Sequence, residues 1–83
     1  RLIFVKKSRI FEIDFHHYYV EDAVSVVEGI INECRMSAVP RDCRFITGRG
    51  KIQRTLYELL KGVYELEPVI PLSNSGVIDV FIY

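Results

Sequence analysis

The chain reads as an α/β domain in the order strand, helix, strand, helix, strand, strand (βαβαββ), built on a mixed sheet. Three observations predict this. Phe11, Ile13 and Phe15 recur with the period of two of a strand. Two segments, 20–34 and about 51–64, carry apolar residues three and four apart, the helical repeat. Residues 77–83 are apolar and β-favouring except for Asp79, as in a strand inside a sheet.

The elements follow in order. Residues 2–5 form a short apolar run cut off by Lys6, Lys7, Ser8 and Arg9, and the pattern leaves open a strand fragment or a cover for exposed core. Residues 10–15 predict the first strand, with Ile10, Glu12, Asp14 and His16 on the face opposite Phe11, Ile13 and Phe15. In residues 20–34, Val20, Ala23, Val24, Val27, Ile30, Ile31 and Cys34 mark one helical face. Glu21 and Asp22 sit in its first turn, where the helix dipole favours negative charge.

Residues 36–42 read as a loop around Pro40, and residues 43–47 as the second strand. Ile52, Leu56, Leu59, Leu60 and Val63 mark the second helix. Val69 and Ile70 lie between Pro68 and Pro71, and a strand bracketed by prolines belongs at a sheet edge. Residues 72–76 carry the turn formers Asn74, Ser75 and Gly76. The first three strands are expected to be parallel, joined by helical crossovers, and the last to return antiparallel.

With 83 residues the chain makes one domain, of which residues 9–83 are the core, and its start at Arg1 reads as a fragment of a longer protein. Hydrophobic residues make up 49%, which predicts a packed module and not a disordered tail. No apolar stretch approaches 18 residues, so no membrane partner is expected. Cys34 and Cys43 fit no metal spacing. A disulfide between them is open on sequence alone, and two buried reduced thiols in an intracellular protein are favoured.

The net charge is zero, but the charges are segregated. Residues 36–54 hold Arg41, Arg44, Arg49, Lys51 and Arg54 against Asp42 alone, while the helices carry the acids. Such a pattern can focus an anionic ligand on one side of a neutral protein.

In an open α/β sheet, ligands bind beyond the carboxyl ends of the parallel strands. Two loops are expected there, residues 14–17 and 47–50. Asp14 and His16 stand two apart at a strand end, and a carboxylate beside an imidazole fixes its tautomer for proton transfer. Gly48 and Gly50 permit close backbone approach, and the helix behind them points free N–H groups at the loop. Arg49 adds a planar fork suited to phosphate oxygens. His16 and His17 with a distant cysteine lack zinc-ligand spacing, and no nucleophile elbow or Walker-type loop is present.

Together these residues resemble the small MutS-related, or Smr, domain. "IDFHHYYVEDAVSVVEGII" resembles the family's Asp-Leu-His-Gly box and acidic helix start, with His17 standing where the box has glycine. "FITGRGK" matches the Thr-Gly-Arg-Gly form of its basic loop, found in many eukaryotic members, and "NSGVIDVFIY" resembles its last turn and strand. The segment after Gly50 is shorter than in many members. The resemblance implies a two-layer sandwich, a four-stranded mixed sheet with two helices on one face, similar to the C-terminal domain of translation initiation factor 3. It further implies an endonuclease that cleaves or nicks nucleic acid, with RNA favoured over DNA, and ties Asp14, His16 and Arg49 to cleavage. His17, Thr47, Gly48, Gly50, Lys51 and Arg54 would then contact nucleic acid. The expected partners are RNA or DNA and the ribosome, in the cytoplasm or nucleus, with no cofactor or metal assigned. The alternative is a module that binds nucleic acid or a ribosomal surface without cutting it.

Overall fold

The computed structural model describes residues 10–83, and the apolar run at 2–5 lies outside the described residues. The elements are β1 (Ile10–Asp14), α1 (Val20–Ser37), β2 (Arg41–Ile46), α2 (Lys51–Glu58) and β3 (Val77–Ile82). A single π-helical turn, Leu59–Val63, extends α2. The sheet order is β1-β2-β3. β2 pairs parallel with β1, with Asp14 opposite Ile46, and antiparallel with β3, with Arg44 opposite Asp79.

The period of two sorts the side chains to two faces. Phe15, Cys43, Phe45, Ile78, Val80 and Ile82 point inward to one buried cluster. Ala23, Val27, Ile31 and Cys34 of α1 meet them there, as do Leu56 of α2 and Leu60. Both helices therefore cover the same face of the sheet. Phe11 shares that face, but lies at the strand's outer end beneath the guanidinium of Arg41, 5.0 Å from its ring centroid. The opposite face carries no helix and presents Glu12, Asp14, Arg44, Ile46, Val77 and Asp79.

Four expectations need correction. The first helix runs three residues beyond 34, because Pro40 comes later and the cap forms at Ala38. There the backbone turns left-handed, with φ 57°, and the N–H groups of Ala38 and Val39 both reach the Cys34 carbonyl. β2 starts at Arg41 rather than 43, since a central strand is paired on both sides: Arg41 opposes Ile82 and Asp42 opposes both Ile10 and Phe81. The second helix does not stay α-helical to 64. Its last turn widens to π, closed by the Tyr64 N–H on the Leu59 carbonyl at 3.2 Å.

The fourth strand is the largest correction. Among the described residues the sheet has three strands, and the expected edge strand at 69–70 is one bridge, in which Val69 and Asp79 exchange N–H···O bonds of 2.8 Å. Alternate residues of a strand face the partner, so Pro71 falls where the next donor toward β3 would stand, and it has no N–H. Pro68 likewise offers no donor on the outer side. Cys34 and Cys43 are buried free thiols. Among the described residues, no helix is long and apolar enough to cross a membrane.

Candidate functional site

β1 and β2 run parallel and adjacent, so the loops that follow them leave the same edge of the sheet. The first is a tight turn. The Tyr18 N–H bonds the Phe15 carbonyl at 2.9 Å, which puts His16 and His17 at its two corners. Phe15 anchors it, fully buried, edge-on to Tyr18 at 5.0 Å and against Phe45 at 5.6 Å.

This turn brings Asp14 and His16 together. One carboxylate oxygen, Oδ1 of Asp14, accepts both the His16 backbone N–H at 3.0 Å and its Nδ1 at 2.6 Å. Simple strand alternation is not the cause, since β1 ends at Asp14; the turn folds His16 back onto it. The two bonds from His16, side chain first and backbone second, hold the Asp14 carboxyl below the usual carboxylate range. An ionised carboxylate only accepts, so Nδ1 carries the proton. In the neutral ring Nε2 is then the basic nitrogen. The rings of His16 and His17 lie 3.9 Å apart, and both residues are exposed.

The second loop is held from a third segment. Because β3 is antiparallel, its beginning lies beside the carboxyl ends of β1 and β2. The Gly76 carbonyl accepts the N–H groups of Thr47 and Gly48, both at 2.9 Å. Asn74 in turn accepts the Gly76 N–H through Oδ1 at 3.1 Å, an Asx-type turn. The Thr47 side chain is buried and its hydroxyl donates to the carbonyls of Gly48 and, more distantly, Gly76. Thr47 thus shapes the loop from inside. Gly48 takes φ 73°, a left-handed conformation that side chains resist. Gly50 precedes α2, whose first turn has no side-chain cap and no acidic residue.

These segments enclose an open cleft of about 450 Å³ on the helix-free face. Asp14, His16 and Gly48 line one end of it. Glu12 and Arg44 line the other, two residues further down the strands; Ile46 and Val77 stand level with Asp14 across the sheet, and Asn74 and Gly76 complete the lining from the turn before β3. Arg44 is locked to Asp79 by two bonds, Nε to Oδ1 at 2.8 Å and Nη2 to Oδ2 at 3.0 Å. The Asp79 bonds, aided by the charge of Glu12, raise the Arg44 pKa.

The sequence-derived residues therefore divide. Asp14, His16 and Gly48 share the cleft, and the His17 ring lies against that of His16, tilted by 41°. Arg49, Gly50, Lys51 and Arg54 are exposed and line no part of it. Arg54 borders a separate cavity of about 500 Å³ with Tyr57, Pro68 and Val69. The Gly48 N–H is taken by the Gly76 carbonyl. Glu12, Arg44 and Asn74 were not expected in the site. The first two carried a signal, because Glu12 shares the face of Asp14 and Arg44 lies in the basic stretch. Among the described residues no three His, Cys, Asp or Glu side chains gather to hold a metal ion.

No protein-family model matches this sequence, and no curated protein does. Comparison with solved structures finds the crystal structure of the Smr domain of Thermus thermophilus MutS2, with a TM-score of 0.71 and 20% identity over 88% of this chain and 98% of that one. At that identity the likeness is one of architecture, and the chain has the fold of an Smr domain.

Proposed function

We propose that this domain is an endonuclease that cleaves single-stranded RNA at the rim of the cleft. The observation that carries the reading is the Asp14–His16 pair, which leaves a basic Nε2 exposed beside a second imidazole. The shared Smr-domain fold supports it, since nuclease activity is associated with that family.

The chemistry follows from the tautomer. His16 Nε2 takes the proton of a ribose 2′-hydroxyl as that oxygen bonds to phosphorus. The P–O5′ bond breaks, and the leaving 5′-oxygen takes a proton from His17. The products are a 2′,3′-cyclic phosphate and a 5′-hydroxyl. Asp14 holds the His16 ring and stabilises the imidazolium that forms. Arg49 and Lys51, with the uncapped N–H groups at the start of α2, offset the phosphate charge from the loop side.

General acid–base catalysis typically contributes about 10²–10⁴-fold. His16→Ala should therefore slow cleavage of a labelled single-stranded RNA by that factor, with an unchanged circular dichroism spectrum. A 2′-deoxy substitution at the scissile position should block the cut. Cleavage retained by the His16→Ala, His17→Ala double variant sinks the proposal.

One observation favours a non-catalytic second reading. The cleft itself holds two carboxylates, Glu12 and Asp14, against the single guanidinium of Arg44, while the free cations lie outside it. A module that binds RNA over the 48–54 surface without cutting fits that arrangement. Salt-sensitive binding with no cleavage products decides for it.

A further inference from the structure

We infer that the inner end of the cleft is a subsite for a single guanine base, read by Glu12 and Arg44. The inference rests on the RNA reading above and deepens it.

The cleft changes character along its length. Its rim carries the imidazole and loop backbone, and next to the rim Ile46 and Val77, level with Asp14 across the sheet, form an apolar floor. At its inner end Glu12 and Arg44 stand opposite one another on paired strands. Asp14 and Glu12 are two residues apart on β1, about 7 Å at a strand's rise. A nucleotide whose phosphate sits at His16 would lay its base on Ile46 and Val77, with the base edge at the charged pair. A phosphate is disfavoured at that inner end, where Glu12 and Asp79 flank one arginine. A neutral ring with donors on its edge is favoured.

The order of donors and acceptors selects the base. A carboxylate offers two acceptors side by side, and only guanine presents two adjacent donors, N1–H and the 2-amino group, with an acceptor, O6, next in line. A guanidinium has five N–H donors, and Asp79 engages two of Arg44's, which fixes its plane and leaves others for O6. Adenine and cytosine each bring only one donor group to that edge. Uracil sets its one donor between two oxygens, so one of them meets the Glu12 carboxylate. Unpaired bases of RNA are commonly read on this edge.

The test uses mononucleotides, so that binding is measured apart from cleavage. The ¹⁵N-labelled chain is titrated separately with the 5′-monophosphates of guanosine, adenosine, cytidine and uridine. GMP is expected to shift the Arg44 Nε–H, the Asn74 side-chain amide and the Val77 amide at concentrations roughly tenfold or more below the other three, the scale of one well-made bidentate contact. Glu12→Gln replaces an acceptor with a donor facing the 2-amino group and should bring the four nucleotides within about twofold. Glu12 is exposed, and the variant's own spectrum reports its folding. His16→Ala should keep the guanine preference while losing cleavage, so the two readings fail separately. Equal binding of all four nucleotides, or GMP shifts confined to residues 49–54, overturns the inference.

Discussion

Gly48→Ala tests whether the loop between β2 and α2 is held in the shape that builds the cleft. The backbone at Gly48 has φ 73°, where an L-residue is strained by roughly 1–2 kcal/mol. A Cβ built there meets nothing within 4 Å, so collision adds nothing to this cost. Alanine also lowers the entropy of the unfolded chain, which returns about 0.4–1 kcal/mol. The net loss is about 1 kcal/mol, and for a domain this small about 4–8 °C in Tm. Gly29→Ala is the internal control. It lies within α1, its Cβ also meets nothing within 4 Å, and alanine there should stabilise by roughly 0.5–1 kcal/mol. Urea unfolding followed by circular dichroism compares the two on one scale. Opposite signs are expected, with Gly48→Asn falling nearer the parent than Gly48→Ala, because asparagine tolerates the left-handed region. A Gly48→Ala variant as stable as the parent, beside a stabilised Gly29→Ala, would refute the claim that this loop is pinned at positive φ.

Two further outcomes concern single ionisable groups. Carboxyl-carbon NMR should place the Asp14 midpoint below 3.8, and His16→Ala should move it back toward that value. A depressed carboxylate contributes to stability above its unfolded pKa, and that contribution should fade as pH falls from about 4 through the lowered midpoint. Cys43 works in the opposite direction: burial, more than the neighbouring Cys34, pushes its thiol up to about 11 from 9.0. The unfolded chain then releases this proton first, so stability should fall as pH rises from about 9 to 11. Alkylation of Cys43 by iodoacetamide at pH 8 should be slow when folded and fast in urea, and equal rates in both states would contradict its burial.

How much was legible can be judged residue by residue. The inward face of β1 and β2, the stripe on α1 and the site candidates Asp14 and His16 follow from periodicity and spacing, which are local properties of the chain. The cap at Ala38 was not legible, because alanine is a poor candidate for a left-handed residue and only the bonds to Cys34 show it. The π turn at Leu59–Val63 left no signal either. The prolines around Val69 correctly marked an edge, but not that one bridge would replace a strand.

The sequence by itself determined the α/β order, the parallel pairing that puts the two loops at one edge, and the inward face of the sheet. These depend on repeats of two and of three to four, which any segment displays alone. Only the tertiary structure decided that Arg49, Lys51 and Arg54 stand outside the cleft and that Glu12, Arg44 and Asn74 stand in it. That division depends on cross-strand register and on the Gly76 carbonyl, which takes the N–H groups of Thr47 and Gly48 from 29 and 28 residues away in sequence. A contact of that span has no local signature, because it forms only when the antiparallel third strand brings its own beginning beside the ends of the other two.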